Sequence, residues 1–278
     1  MSLILPGMNR KTSSVLGALS AMALVAGLAL WAGGSTPESR ASAAGEVSAP
    51  LQLAAGPGDG RPVVVELFTS QGCSSCPPAD ALLDELAKQS GVLALSFHID
   101  YWDYIGWKDP FASPQYTERQ RDYAAKLGLR YVYTPQMVID GRHDAVGSNR
   151  GDVTRAIQQA AGTAPVVAVS LDDTEGGRAI LSAGEAPSGG ATVWLVAFDD
   201  GHDTPVARGE NRGRDLHNSN VVRELRALGT WTGEAKTFPL DFQAERAEGR
   251  GGCAIIVQQG RGGPVLGAAV YDLDGPPS

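Results

Sequence analysis

From residue 62 onward, short apolar runs alternate with longer amphipathic segments. Residues 63–68 form a β-branched, largely apolar run, which predicts a buried strand. Residues 77–90 place leucines on one face and are followed by a glycine, which predicts a helix. Residues 92–99 predict the next strand. Because a helix separates the two strands, they form a βαβ unit and we expect them to be parallel.

The alternation continues to residue 161. Ser113 followed by Pro114 is typical of a helix start, and Gly128 of a helix end. Asp140-Gly141 between two β-type stretches predicts a hairpin turn. The predicted elements are a helix over 114–127, strands over 136–139 and 144–146, and a helix that is capped at 148 or 149 and ends at 161. The order β-α-β-α-β-β-α is that of a thioredoxin-like α/β domain, which we assign to residues 62–163.

After residue 163 the pattern changes to short β-type runs separated by Gly, Asp and Ser clusters. Regular short strands with turn signals favour a β-sandwich or a small barrel. Residues 221–228 fit either another strand or a short helix. The other predicted strands cover 165–171, 178–183, 191–198, 235–240, 253–258 and 265–271. The sequence thus predicts a second, β-rich and sandwich-like domain over residues 164–274.

The N-terminal segment, residues 1–44, has the composition of a targeting sequence. The basic pair Arg10-Lys11 precedes an apolar run over 15–32, and Ala41-Ser42-Ala43 offers a small-residue cleavage site. The run is also long enough to span a bilayer, so we predict either a cleaved signal peptide or an uncleaved anchor. Both place the folded part outside the cytoplasm, periplasmic or secreted, because the basic residues keep the N-terminus inside. Residues 45–61 predict a flexible linker.

The charge of the chain excludes one class of partner. The 278 residues carry a formal net charge of -8, and the part after residue 44 has 20 basic against 30 acidic residues. Such an acidic chain lacks the attraction for polyanions that a basic surface supplies. We therefore expect no nucleic-acid binding.

The candidate chemistry lies in the segment Cys73-Ser74-Ser75-Cys76, between the first strand and the first helix. A thiol at a helix N-terminus faces unpaired N–H groups and the positive end of the helix dipole, which lower its pKa. Two intervening residues allow a reversible disulfide, with Cys73 attacking and Cys76 resolving. The alternatives are a static disulfide and half of a zinc site, although no second Cys/His pair at ligand spacing is present. Because Pro77 and Pro78 lack N–H groups, we expect a late start or a kink in this helix.

Other candidate site residues lie at the ends of predicted strands. Pro135, after Thr134 and before a strand, is predicted to be a cis-proline that packs against the cysteine pair. His98, Asp100 and Trp102 lie at the end of the second parallel strand, where such sheets form binding crevices. We interpret them as accessory residues, with His98 and Asp100 as proton carriers or ligands. The alternative is that this aromatic loop only covers the sheet edge.

Two further features lie in the second half. Residues 208–218 concentrate three arginines, a histidine and two asparagines. This composition indicates a solvated loop, an anion site or a contact with the cleft of the first domain. Cys253 lies within an apolar strand and is predicted to be a buried free thiol.

Together these motifs resemble a family of bacterial exported proteins catalogued as domain of unknown function 1223. The matching stretches, which span most of residues 62–270, are 66–80, 98–103, 106–111, 133–137 and 208–213. The family is similar to thioredoxins in its first half, so the resemblance implies that Cys73 and Cys76 are the redox pair and Pro135 the cis-proline. This chain departs from thioredoxins in having Ser-Ser between the cysteines and Pro-Pro after them. The redox potential and the direction of electron flow therefore stay open.

The sequence thus predicts an exported thiol–disulfide oxidoreductase-like protein that acts through Cys73 and Cys76. Its expected partners are thiols or disulfides of other exported proteins, together with a membrane redox partner. No cofactor and no resident metal are expected. Two alternatives stay open: a protein that handles Cu(I) or another soft metal through the same cysteines and His98, since thiolates suit Cu(I), and a non-enzymatic binding protein with a structural disulfide.

Overall fold

The computed structural model describes residues 61–275 and has a mixed α/β architecture dominated by sheet. In the first half the elements are β1 (Val63–Thr69), α1 (Pro77–Ala87), β2 (Val92–His98), α2 (Pro114–Leu127), β3 (Gln136–Ile139), β4 (His143–Val146) and α3 (Arg150–Ala161). In the second half they are β5 (Val169–Asp172), β6 (Arg178–Leu181), β7 (Ala191–Pro205), β8 (Asp215–Trp231), β9 (Lys236–Pro239), α4 (Phe242–Ala247), β10 (Gly252–Gln259) and β11 (Val265–Asp272). The predicted signal or anchor segment over 1–44 and nearly all of the predicted linker over 45–61 lie outside the described residues.

The elements predicted for the first half are confirmed to within a few residues. At the start of α2, the Ser113 hydroxyl accepts the N–H of Gln115, and at its end Gly128 adopts a left-handed conformation with a φ of 71°. Asp140 and Gly141 have φ values of 50° and 63°, as a two-residue hairpin turn between β3 and β4 requires. Local signals therefore determine where these elements begin and end.

The expected late start or kink of α1 is wrong. α1 begins at Pro77, directly after Cys76, with both prolines in its first turn. The N–H groups of a first helical turn have no partner within the helix, so two prolines there remove no bond that the helix needs. Cys76 consequently occupies the N-cap position.

One eight-stranded sheet, in the order β11-β10-β7-β8-β2-β1-β3-β4, runs through both halves. β1 and β2 are parallel along their length, as predicted. β8 joins the other side of β2, with Ser96 opposite Val221, and the described residues belong to one compact unit. The sheet therefore crosses the boundary predicted after residue 163, and the division into two domains stays a prediction.

Apolar side chains fill both faces of this sheet. On one face α1 and α3 cover β1 and β3 through Leu67, Leu83 and Ile157. On the other face α2 packs across β1 and β2, with Phe97 and Tyr123 buried. A three-stranded sheet in the order β5-β6-β9 packs against β7, β10 and β11. The second half is thus built mainly of strands, as expected.

The hairpin of β7 and β8 is longer than predicted. The apolar pattern predicts a strand only over 191–198 and leaves 221–228 as a strand or a short helix. The paired strands in fact run from Ala191 and Trp231 out to Pro205 and Asp215. Residues 199–204 and 215–220 are mostly polar, so a hydrophobic pattern does not predict that this outer part forms strands. The outer part of the hairpin brings its connecting loop, residues 206–214, to the cysteine pair.

Candidate functional site

Cys73 and Cys76 form a disulfide bond in the turn between β1 and α1. Their Cα atoms are 5.5 Å apart, which lies in the usual range for bonded cysteines. Two consecutive turns shape the segment, because the N–H of Cys73 donates to the carbonyl of Ser70 and the N–H of Cys76 to that of Cys73. The Cys76 carbonyl accepts the N–H groups of Ala79 and Asp80, which starts the helix. The pair therefore lies at a helix N-terminus, as the sequence predicts.

The segment Thr134–Pro135 lies against Cys73, and its peptide bond is cis, as predicted. The Thr134 hydroxyl donates to Cys73 Sγ at 3.4 Å, and the indole N–H of Trp102 donates to Thr134 Oγ1 at 2.7 Å. Ser75 Oγ also lies 3.4 Å from the Cys73 sulfur. Two hydroxyl groups thus border the Cys73 sulfur, and Trp102 holds one of them.

Little of the disulfide reaches solvent. Cys73 is 3% exposed and Cys76 is fully buried, whereas Ser74 and Ser75 between them are exposed. Of the two cysteines, only Cys73 therefore retains any exposed surface.

A buried cluster of three titratable groups, Asp80, His98 and Asp109, lies beside the cysteine turn. Asp80 follows Cys76 by four residues, a spacing that puts both side chains on one face of α1. His98 Nδ1 is 2.8 Å from Asp109 Oδ2, and the same carboxylate oxygen accepts the N–H of Gln71 at 2.7 Å. All three cluster residues are at most 6% exposed. The cluster thus connects the cysteine turn with the end of β2.

The other contacts of the cluster involve Thr69 and Asn218. The Thr69 hydroxyl donates to Asp80 Oδ1 at 2.8 Å, and the side chain of Asn218 lies near enough to Asp80 to favour its ionised form. His98 Nε2 has no hydrogen-bond partner within residues 61–275. Residues from both halves therefore enclose the carboxyl group of Asp80.

Burial and the attraction between neighbouring charges together shift the pKa values of the three cluster residues. Burial raises the pKa of Asp80 to about 7, although the nearby His98 acts in the opposite direction. Burial disfavours a charged His98, but the carboxylates of Asp109 and Asp80 outweigh it and raise the pKa of His98. Burial also opposes ionisation of Asp109, yet the attraction and hydrogen bond of His98 lower the pKa of Asp109. The two groups thus favour each other's charged form, while Asp80 gains and loses its proton near neutral pH.

The structure separates the three predicted accessory residues. His98 belongs to the buried cluster, and Trp102 binds the Thr134 hydroxyl that contacts Cys73, as described above. Asp100 lies elsewhere, where its Oδ1 accepts the Thr117 hydroxyl at 2.6 Å near the start of α2. Asp100 therefore has a local contact with the helix and none with the cysteine pair within the described residues.

The loop between β7 and β8, residues 206–214, contacts the cysteine turn. The side-chain amide of Asn211 donates to the carbonyls of Gln71 and Cys73, both at 2.9 Å. Glu210 Oε2 accepts the N–H of Ser74 at 3.3 Å. Of the uses predicted for residues 208–218, contact with the first half is therefore present.

Sequence reasoning missed Asp80 and Asp109, and it identified Asn211 only as part of the segment 208–218. The spacing of Asp80 from Cys76 would have indicated a shared helix face, had the two prolines not led us to expect a late start or a kink. No comparable spacing connects Asp109 or Asn211 with the cysteines, because both reach them from loops.

The described part of the chain contains one further cysteine. Cys253 on β10 is a buried free thiol, as predicted, and burial raises its pKa to about 12. No group of three or more His, Cys, Asp or Glu side chains between residues 61 and 275 is arranged to hold a metal ion. Over the same range, no helix combines the length and the apolar character that crossing a membrane requires.

Three comparisons relate the chain to known proteins. A family described as "Protein of unknown function (DUF1223)" matches residues 64–258. A probable thioredoxin from Archaeoglobus fulgidus is 29% identical over 101 residues, which is 36% of this chain and 91% of that protein. A crystal structure of an Agrobacterium tumefaciens protein is similar with a TM-score of 0.67 at 31% identity, over 77% of this chain and 95% of that one. Since the family match spans well over half of the chain, this protein belongs to the family described as protein of unknown function DUF1223.

Proposed function

We propose that this chain is an exported thiol–disulfide exchange protein whose first half is thioredoxin-like. The observation that carries the proposal is the disulfide between Cys73 and Cys76 at the N-terminus of α1, bordered by Thr134–Pro135. The similarity to a probable thioredoxin supports the same chemistry. Export to the periplasm or beyond would bring the pair to proteins whose disulfides form and persist.

The proposed reaction exchanges one disulfide for another. A thiolate of a partner dithiol attacks Cys73 Sγ and breaks the Cys73–Cys76 bond, so Cys76 leaves as a thiolate. The second partner thiolate then attacks the partner sulfur of the mixed disulfide, and Cys73 leaves as a thiolate. The partner loses two electrons and two protons and gains a disulfide, and the cysteine pair takes them up as two thiols. The reverse sequence reduces a partner disulfide.

Cys73 is the proposed attacking thiolate in the reducing direction. It precedes α1, whose N-terminal dipole favours negative charge. The hydroxyls of Thr134 and Ser75, each 3.4 Å from the sulfur, are placed to donate to a sulfur anion. We propose Pro135 and Trp102 as the residues that keep Thr134 in this position, because Trp102 binds the same hydroxyl.

Asp80 is the proposed proton carrier for Cys76. A fully buried thiol needs a base inside the protein, and Asp80 shares a helix face with Cys76. A carboxyl group with a pKa of about 7 is present in both protonation states near neutral pH, which suits proton transfer in either direction. His98 and Asp109 act on this group through charge and are its proposed positioning residues.

The proposed partners are thiols or disulfides of exported proteins, together with a membrane redox protein that resets the pair. A groove of about 540 Å³ begins at Tyr133, next to Thr134, and offers space for a partner side chain. Its lining includes Tyr131, which is 73% exposed, and Val146, which is 49% exposed. Exposed apolar side chains in a groove that includes the chain neighbour of Thr134 favour partner segments with apolar residues near their cysteine.

Trapping tests the proposed exchange. Cys76→Ser is expected to accumulate mixed disulfides through Cys73, because the resolving thiol is absent. Cells that produce the full chain would be alkylated, and the adducts identified by mass spectrometry with and without reductant. The double variant Cys73→Ser, Cys76→Ser should trap nothing. Absence of adducts in Cys76→Ser, together with a redox potential below about -300 mV, would indicate a static disulfide instead.

A further inference from the structure

Two neighbouring residues of the β7–β8 loop hold the peptide unit between Cys73 and Ser74 from both sides. Asn211 Nδ2 donates to the Cys73 carbonyl at 2.9 Å, and Glu210 Oε2 accepts the Ser74 N–H at 3.3 Å. That carbonyl and that N–H belong to one planar group and point in opposite directions. Contacts at both ends therefore oppose rotation of the peptide plane inside the cysteine turn.

Asn211 is itself held in one orientation. Its second amide hydrogen is donated to the carbonyl of Gln71 at 2.9 Å, and its Oδ1 accepts Arg214 Nη1 at 3.2 Å. A reversed amide would place Oδ1 against two carbonyl oxygens, so the hydrogen bonds define the assignment. The side chain joins the carbonyls on both sides of Gly72, the residue of the turn with the greatest conformational freedom. Asn211 is only 1% exposed, so bulk water does not compete with its hydrogen bonds.

We propose that Glu210 and Asn211 form a peptide clamp, and that Asn211 is a positioning residue that sets the redox potential of the Cys73–Cys76 pair. The inference rests on the proposed exchange function for its use in the cell. A disulfide forms more readily when its two thiols are held close together, because their effective concentration is higher. The clamp fixes Cys73 within reach of Cys76, and so it favours the disulfide over the dithiol. The second half thereby forms part of the redox site.

The clamp predicts a change in redox equilibrium. In the full chain, Asn211→Ala is expected to lower the equilibrium constant for disulfide formation about tenfold, because two hydrogen bonds to the turn are lost. The redox potential would become about 30 mV less negative. Glu210→Ala should shift it less, in the same direction, since this contact is exposed. The measurement is equilibration in glutathione buffers followed by thiol trapping. Arg212→Ala is the matched control, an exposed residue of the same loop whose side chain makes no hydrogen bond or ion pair within residues 61–275.

A second readout separates the clamp from a merely structural contact. The clamp predicts that Asn211→Ala destabilises the oxidised protein more than the reduced protein, by the same factor that appears in the redox equilibrium. Equal destabilisation of both forms with an unchanged potential would overturn the proposal. If Asn211→Ala does not fold, Glu210→Ala supplies the measurement, and no shift in its potential also overturns the clamp. Failure of Cys76→Ser to trap partners contradicts only the exchange function, since the potential is measured without any partner.

Discussion

Replacing Arg119 with methionine is expected to lower the free energy of unfolding by about 3–5 kcal/mol. Arg119 on α2 pairs with Glu66 on β1 through Nε–Oε2 at 2.5 Å and Nη2–Oε1 at 2.8 Å. The two side chains are 2% and 1% exposed. Methionine fills much of the space but leaves the Glu66 carboxylate buried without a counter-charge. Breaking a buried ion pair on one side costs far more than removing it completely, because of this uncompensated charge.

The matched variant for this prediction is the double substitution Glu66→Gln, Arg119→Met. Tyr123 donates its hydroxyl hydrogen to Glu66, and the neutral amide of glutamine can still accept it. We therefore expect the double variant to recover most of the stability that Arg119→Met loses. Urea unfolding of the oxidised protein, followed by tryptophan fluorescence, measures both. Equal losses in the single and double variants would mean that the packing of Arg119, which lies over the rings of Phe97 and Trp194, outweighs the charge.

The fold could be predicted where short-range contacts decide it. Ser113 and Gly128 act on α2 through bonds within a few residues, so the pattern places the helix correctly. The outer part of the β7–β8 hairpin, which ends at Pro205 and Asp215, has mostly polar side chains, so a hydrophobic pattern does not mark it as strand. The short helix α4 was missed because six residues provide too little helical periodicity. Elements without a clear hydrophobic repeat therefore account for most of what the pattern did not predict.

The residues of the candidate site could likewise be predicted only in part. Cys73, Cys76 and Pro135 could be located from motif spacing and their place in the element order, although their roles in exchange stay predictions. Asp109 and Asn211 could not, because each reaches the cysteine turn from a loop whose path depends on the complete fold. The interpretation of residues 77–78 failed for a related reason. Whether a proline disrupts a helix depends on the turn in which it lies, and composition alone does not specify the turn.

Replacing Asp80 with asparagine is expected to stabilise the protein at pH 8 by about 2–4 kcal/mol and to leave it nearly unchanged near pH 4. In the unfolded chain this carboxyl group ionises near its ordinary pKa of 3.8, whereas burial raises its pKa in the folded protein to about 7. Between these values the folded form retains a proton that the unfolded form has released. The free energy of unfolding therefore falls as pH rises, by about 4 kcal/mol over the interval.

Asparagine does not titrate and retains an oxygen for the Thr69 hydroxyl, so it avoids this loss. The gain is reduced because His98 loses a neighbouring carboxylate that raises its pKa. Such a raised pKa stabilises the folded form fully below about 6.5, and the contribution disappears as pH rises through the higher folded value. The range of 2–4 kcal/mol allows for this reduction.

Urea unfolding of the oxidised protein from pH 4 to pH 8 measures the effect, with Asp84→Asn as the matched control on the same helix. Burial opposes ionisation of Asp84 slightly, but hydrogen bonds from Lys88 and Ser219 lower its pKa, so Asp84→Asn should gain nothing at pH 8. A gain for Asp80→Asn that does not grow with pH would contradict a carboxyl group that ionises near neutrality in the folded protein. A gain that grows with pH means that the native chain retains a carboxyl group at a cost to its stability. Such a cost is expected of a functional group, and the proposed role of Asp80 as a proton carrier for Cys76 would account for it.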